Sequence, residues 1–339
     1  MGRMQEQPPE HSAVPSSPAD SVRLAAAQRW AAQCLGLENV ALIPVSGDAS
    51  FRRYYRVQAG NRSVILMDAP PEQENSAAFI DIDRRLRKAG LHAPEILDFD
   101  LQLGFGLLED LGDELYRAHV SSESVDRLFP GLFDLLRRMA VSVDASGLPP
   151  YDDNRLQTEL DLFTDWYLGR HRERSLAAQE VLAWEQVCAE LKRSAAKQPQ
   201  VFVHRDFHSC NLLYLPGQAP GLIDFQDAVC GPLSYDFISL LWDRYVSWPR
   251  DRLEEWMETY RKLLDLDIHP QEWRRWCDLM GLQRNLKVVG IFSRLHYRDG
   301  KTGYLEMIPR FYSYLLDVLA RYPEFSEFKV LLEQIECAP

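Results

Sequence analysis

The segment Val201–Leu240, VFVHRDFHSCNLLYLPGQAPGLIDFQDAVCGPLSYDFISL, restricts this chain more than any other stretch of it. Three apolar residues lead into His204-Arg205-Asp206, and Asn211 stands five positions after Asp206. A short apolar hairpin, Leu212 to Leu215 and Leu222 to Ile223, delivers Asp224, and Asp236 closes the set. Carboxylates and amides set between apolar strands cost several kcal/mol unless something holds them. The hairpin should therefore gather positions 206, 211 and 224 at one polar cleft. The order Asp, Asn, Asp suits phosphoryl transfer. Asp206 would accept the proton of an attacking hydroxyl, while the amide oxygen of Asn211 and the carboxylate of Asp224 would hold Mg2+ against the phosphates of ATP. The transition state of that reaction is loose, so positioning and charge neutralisation carry most of the effect.

His204-x-Asp206-x4-Asn211, followed by Ile223-Asp224-Phe225, resembles the aminoglycoside phosphotransferase and choline kinase family. That family is a distant relative of the protein kinases, whose own version reads H-R-D-x4-N and D-F-G. His208, and Asp236 within Leu233-Ser234-Tyr235-Asp236, fit the family's H-x-D-x-H-x2-N and Y-D patterns. The resemblance implies an α+β, protein-kinase-like bilobal fold, with a small antiparallel-sheet N-lobe and a larger, mainly helical C-lobe. It implies a tail over 1–20, a nucleotide-lid lobe over 21–110, and a catalytic and acceptor-binding lobe over 111–339. ATP and Mg2+ are the implied cofactors. Asp236 is implied to tie down the catalytic loop by accepting backbone N–H bonds. His204 reads as a buried imidazole that orients the loop rather than as an acid–base catalyst.

Composition sets limits around this site. The 339 residues suffice for two lobes with cores of their own, and a hydrophobic share of 46% is that of a globular chain. A formal net charge of −12 argues against a nucleic-acid surface. The six cysteines, at 34, 188, 210, 230, 277 and 337, form no C-x-x-C pair, which points to free thiols in a reducing compartment. Met1 to Ala19 is rich in Pro, Ser and Glu with no apolar run, so it reads as disordered rather than as a signal peptide. No apolar run is long enough to span a bilayer, so a cytoplasmic monomer without membrane contact is expected.

Ahead of the site, Ser21 can cap a helix over Val22 to Leu35, and strands are expected at 40–46, 51–57 and 63–67. The turn Ser46-Gly47-Asp48-Ala49-Ser50 joins the first two, and Ser46, Gly47 and Ser50 are candidates to offer backbone N–H groups to phosphates. One departure from the family stands out. Its third lid strand carries a Lys for the phosphates, whereas here the strand reads Val64-Ile65-Leu66-Met67-Asp68. Arg52, Arg53 and Arg56 are the nearest replacements. By strand alternation Arg52, Tyr54 and Arg56 share one face and Arg53 and Tyr55 the other, and either face could look towards the nucleotide. A helix over 74–89 and strands near 95–100 and 104–109 follow. The last runs into Leu107-Leu108-Glu109-Asp110-Leu111-Gly112, which resembles the family's hinge, where the backbone of Glu109 and Leu111 would meet the adenine edge.

Downstream, Leu132, Leu135, Leu136, Met139 and Val143 mark one buried helix face, and Leu156, Leu160, Phe163 and Trp166-Tyr167 another. Helices are expected at 176–195, 251–265, 271–296, 304–321 and 324–335. The polar run Gln283-Arg284-Asn285-Leu286-Lys287 and the charges from Arg294 to Lys301 fit either a solvated helix face or a wall facing the acceptor. Arg205, His208, Arg294 and Arg298 are the candidate acceptor-binding residues. Longer stretches, among them PVSGDASFRRYYRV, HRDFHSCNLL and QRNLKVVGIFSRLHYRDGKTGY, narrow the resemblance to amino-sugar kinases within the family, which implies a small amino-sugar acceptor. Another small alcohol, or a nucleotide-binding pseudokinase, remains open at this point.

Overall fold

In the computed structural model, which describes residues 18–45, 51–244 and 246–337, the chain divides into two compact units. One ends at Asp113 and excludes Lys88–Leu91; the other takes in Lys88–Leu91 and everything from Glu114 onward. Ser46, Gly47 and Ser50, and nearly all of the expected tail, lie outside the described residues.

The first unit is built on a five-stranded antiparallel sheet. Helix α1 (Pro18–Leu35) precedes β1 (Ile43–Val45), β2 (Arg53–Ala59) and β3 (Arg62–Asp68); α2 (Ser76–Lys88), β4 (Ile96–Asp100) and β5 (Phe105–Glu109) complete it, in the order β1-β2-β3-β5-β4. Gly60, at φ +65°, turns β2 into β3. Small residues of α1, Ala27, Ala31 and Ala32, let the helix settle on Tyr55, Val57, Val64, Leu66, Phe105 and Leu107. Each such fully buried branched side chain contributes about 1.5–3 kcal/mol. The alternation that points Tyr55 and Val57 at α1 puts Tyr54 and Arg56 on the opposite face, where they lie across from Met67 and Ile65.

The second unit is helical. It comprises α3 (Val125–Ser142), α4 (Asp153–Leu162), a wide-turned π-helix over Phe163–His171, and α5 (Ala178–Lys197). The strand pairs β6 (Gln200–Val203), β7 (Leu212–Leu213), β8 (Gly221–Leu222) and β9 (Val229–Pro232) follow, with β6 joined to β9 and β7 to β8. After them come α6 (Tyr235–Leu241), α7 (Arg250–Leu264), α8 (Pro270–Tyr297), α9 (Ile308–Leu319) and α10 (Ser326–Cys337).

The 28-residue α8 is the axis of this unit. From Trp276 to Lys287 it is buried on all sides, and Asp278, Gln283, Arg284, Asn285, Lys287 and Ser293 are among its buried residues. Of the two sequence-based readings of 283–287, the structure therefore excludes the solvated face. Gly281 and Gly290 allow close approach: a Cβ on the first would overlap the ring of Trp242, and on the second the backbone of Leu162. The continuous helix face expected through Phe163 and Trp166-Tyr167 is broken at that place, where α4 ends at Leu162 and the π-helix begins. No described helix is long and apolar enough to cross a membrane.

Candidate active site

Strand β6 carries the chain into the catalytic loop. Its pairing with β9 fixes Gln200 opposite Pro232 and Val203 opposite Val229. The loop then turns through Arg205, whose φ of +76° is left-handed for a residue with a Cβ. Such a conformation costs of order 1–3 kcal/mol and persists only where its surroundings enforce it. Asp236, in the first turn of α6, does so. Its Oδ2 accepts the His204 N–H at 2.6 Å and its Oδ1 the Arg205 N–H at 3.0 Å. Burial pushes the Asp236 carboxyl up to about 6, against the pull of His204 and these two N–H groups. The fully buried His204 ring donates from Nε2 to the carbonyl of Ile223 at 3.1 Å, which joins the loop to the segment ahead of Asp224.

The hairpin works through a register of two pairs, Leu212 with Leu222 and Leu213 with Gly221. It closes Asp206, Asn211 and Asp224 into one group. The Asn211 amide donates to the Asp206 carbonyl at 3.0 Å and to Asp224 Oδ2 at 3.2 Å. Gln226 donates to Asp224 Oδ1 at 2.8 Å, and Asp224 is itself left-handed at φ +62°. The Asn211 carboxamide and the Asp224 carboxylate therefore lie side by side, within hydrogen-bond reach of each other. Two hard oxygen donors fit Mg2+, which keeps several waters and takes its other ligands from phosphate. Among the described residues no three or more His, Cys, Asp and Glu side chains gather as a metal cage, so a site here would be of that two-ligand kind.

Sequence reasoning missed what surrounds Asp206. Glu159 of α4, almost wholly buried, accepts from Arg205 at 2.7 Å, Lys287 at 2.9 Å and Gln283 at 3.1 Å, and from the Tyr151 hydroxyl. Lys287 also donates to the Tyr235 hydroxyl at 3.1 Å. Burial would raise the Glu159 carboxyl, but Lys287, Arg205 and Tyr151 bring it down to about 2. Burial would likewise raise Asp206; the charge of Lys287 foremost, with that of Arg205, holds it below the usual carboxylate range. Asp206 is therefore ionised at neutral pH. Arg205, expected to face the acceptor, is instead drawn to Glu159. The only signal for this network was the buried polar run of α8.

His208, another candidate for the acceptor, is also buried. Its Nε2 accepts from Arg244 at 2.9 Å, and burial next to Arg244 pushes the imidazole down to about 3, so it is neutral. Asp243 accepts the Ser209 N–H at 3.0 Å, and Arg284 donates to the Trp242 carbonyl at 3.2 Å. Arg294 and Arg298 are not brought to the loop. Arg294 lies seven residues beyond Lys287 on α8, about 10 Å further along the axis. Arg298 is exposed and pairs with Asp299 at 2.7 Å.

In the first unit each candidate arginine has a carboxylate. Arg52 pairs with Glu74 at 2.8 Å, Arg53 with Asp20 of α1 at 2.6 Å, and Arg56 with Asp110 at 2.5 Å and Asp113 at 2.7 Å. Against burial, Arg56, Ser63 and the Gly112 N–H lower the Asp110 carboxyl to about 2. Arg53 lies on the face that α1 covers. The Glu109 N–H donates to the Glu95 carbonyl at 2.8 Å, and Leu111 is half-buried before Gly112, whose φ is +82°.

A helical unit that gathers two carboxylates and an amide around one hairpin, preceded by a five-stranded antiparallel unit, defines a phosphotransferase of the protein-kinase-like fold. The chain belongs to the phosphotransferase enzyme family, whose model matches residues 41–279. It is 45% identical over 300 residues to the N-acetylmuramate/N-acetylglucosamine kinase of Pseudomonas aeruginosa, covering 87% of this chain and 88% of that one. It is 35% identical over 301 residues to the protein of the same name from Neisseria meningitidis, covering 86% and 89%. Among solved structures, a choline/ethanolamine kinase family protein from Mesorhizobium loti superposes with a TM-score of 0.62 at 17% identity over 93% of this chain and 99% of that one. The ADP-bound aminoglycoside phosphotransferase APH(2'')-Ib does so with 0.56 at 14% over 86% and 96%. At those identities the two structures speak for the fold alone.

Proposed function

We propose that this protein is an ATP-dependent sugar kinase that phosphorylates the anomeric C1 hydroxyl of N-acetylmuramate and N-acetylglucosamine. The products would be the sugar 1-phosphates, which feed peptidoglycan recycling towards UDP-N-acetylmuramate, and the enzyme would work as a cytoplasmic monomer. The observation that carries the reading is an intact Asp206–Asn211–Asp224 group in a chain 45% identical over 300 residues to a kinase named for those two sugars.

In this reading Asp206 accepts the proton of the C1 hydroxyl as its oxygen attacks the terminal phosphate. An anomeric hydroxyl is more acidic than an ordinary alcohol, so a carboxylate held ionised by Lys287 is a sufficient base. Asn211 and Asp224 would hold Mg2+, which neutralises charge on the phosphates when bound. Asp236 and His204 keep the loop in its strained shape. The first unit serves as the nucleotide lid, with the backbone of Glu109 and Leu111 at the adenine edge and the Ser46–Ser50 turn at the phosphates. With Arg53 under α1, the lid cation would be Arg52 or Arg56.

The test offers ATP and Mg2+ with N-acetylmuramate, N-acetylglucosamine, N-acetylgalactosamine, choline and kanamycin side by side, and examines the product by phosphorus NMR. A phosphate on C1, with loss of the reducing end, is expected for the first two. Transfer to kanamycin or choline alone would make the protein a kinase of another alcohol. ATP binding without transfer to any acceptor would make it a pseudokinase.

A further inference from the structure

The second unit holds four buried or half-buried cations near the catalytic loop, and three have evident partners. Lys287 and Arg205 share Glu159, and Arg244 is bonded to His208. The fourth, Arg284, is 7% exposed and has no carboxylate at ion-pair distance among the described residues. Its Nη1 donates to the neutral carbonyl of Trp242 at 3.2 Å, and its other nitrogens are not among the buried atoms sealed off without a partner. Arg250, on α7, shows what this fold does with a cation that is only structural: Asp278 takes it at 2.7 Å and Glu254 at 2.9 Å. Burying a charge without a counter-ion is costly, and such groups mark sites where a ligand supplies the opposite charge.

The position of Arg284 says which ligand. It is one helical turn from Lys287 and braces the Trp242–Arg244 segment that reaches His208. His208 in turn donates its N–H to the Asp206 carbonyl at 3.0 Å. Arg284 and Arg244 thus border the catalytic loop through His208, and the His208 N–H and the Asn211 amide meet at the same Asp206 carbonyl. An anion at Arg284 would lie against the Trp242–Arg244 segment, which His208 joins to the loop that carries Asp206. Arg310, which donates to the Arg244 carbonyl at 2.6 Å, adds a third guanidinium to this flank. Asp243, on the same segment, accepts the Ser209 N–H.

We propose that Arg284, supported by Arg244, forms a subsite for a carboxylate carried by the acceptor, and so sets a preference for acidic over neutral amino sugars. This rests on the reading of the chain as an amino-sugar kinase; within that reading the carboxylate is the lactyl group of N-acetylmuramate. A planar guanidinium matches a carboxylate in two parallel hydrogen bonds, which an ammonium does not reproduce.

The experiment compares N-acetylmuramate with its lactyl methyl ester, which keeps the size and removes the charge, and with N-acetylglucosamine. The wild-type protein should favour the free acid, mainly through KM. In Arg284→Met the ratio of kcat/KM for acid over ester should fall by about tenfold or more, the loss of one charge-assisted contact. Arg284→Lys should restore part of it, and Arg244→Gln should lower the same ratio to a smaller degree. An acid-to-ester ratio unchanged in Arg284→Met, or a rise confined to the KM for ATP, overturns the subsite. If the wild-type protein phosphorylates none of the three sugars, the functional reading itself has failed, and the subsite with it. Should Arg284→Met not fold, the Arg284→Lys and Arg244→Gln ratios decide.

Discussion

The two units treat the positive charges around their candidate site residues differently. In the first, Arg52, Arg53 and Arg56 are each matched by acid, and Arg56 by two carboxylates. In the second, two cations share the single Glu159 and a third has a carbonyl for a partner. The first pattern is that of ion pairs which hold a sheet and its helix together. The second leaves positive potential directed at Asp206 and at whatever lies next to it. A cation in a sheet edge is thus poor evidence of a site when its acid is at hand, and a cation in a core is good evidence when its acid is missing.

The largest test of that contrast is at the loop. Asp206→Asn should lower turnover by about 10²–10⁴-fold while ATP still binds, because a general base is worth that much. Asp224→Ala should remove activity and the magnesium dependence of ATP binding together, read by titrating ATP with and without the metal. Near-normal turnover in the first variant, or an unchanged metal dependence in the second, would take these residues out of their roles.

Lys287→Met should come next. It leaves Arg205 alone on Glu159 and takes the foremost positive charge away from Asp206. Turnover should fall by about 10²-fold, the loss of one preorganised charge. Stability should fall as well, by about 3–5 kcal/mol, since one partner of a buried pair is gone. If urea denaturation shows the stability loss and kinetics show no change, the network is structural only and the contrast between the units collapses.

The first unit can break the contrast from the other side. At least one of Arg52→Ala and Arg56→Ala should reduce turnover by about 10²-fold if a lid arginine contacts the transferring phosphate. That arginine would have to leave its acid to do so. If both variants keep near wild-type kinetics with circular dichroism unchanged, the arginines of this unit are ion pairs and nothing more, and the contrast is sharpened.

The smallest effect is on stability against pH. Folding lowers the Glu159 carboxyl from 4.5 to about 2, so the folded state binds fewer protons in that range. Its contribution is fully present above pH 4.5 and is lost as pH falls towards 2. Urea midpoints measured at pH 5 and pH 3 should draw together in Glu159→Gln relative to the wild-type protein. An unchanged difference would assign the acid sensitivity elsewhere.

Much of this was legible in the sequence. The spacing of Asp206, Asn211 and Asp224 announced a hairpin, and β7 and β8 make one. The helix expected at 271–296 is α8 within a residue at each end. What was not legible has a common physical origin. Glu159 lies 46 positions before Arg205 and Lys287 lies 82 after it, so their meeting depends on how α4 and α8 pack, not on any local pattern. Periodicity also fails on α8, because a helix surrounded by protein has no polar face to betray its orientation. Arg294 and Arg298 were attractive because they cluster in sequence, but a helix carries each residue about 1.5 Å further from its neighbour, and that spreads a cluster away from a fixed point. At the lid, the choice of face for Arg53 was decided by α1, which alternation alone does not supply.

Gly290 has a bearing on how such an enzyme can drift. It lets α8 lie against the backbone of Leu162, and the same rigid rod bears Arg284 and Lys287 towards the loop. A rod transmits a shove along its whole length, so a side chain inserted at that notch, one turn beyond Lys287, would displace both charges in step. Neither charge could correct for it alone. Variation in this protein should consequently be easy where helices merely fill space and scarce along the seam between α8 and Leu162. Seen this way, the alignment of the site is set by a place where there is no side chain at all.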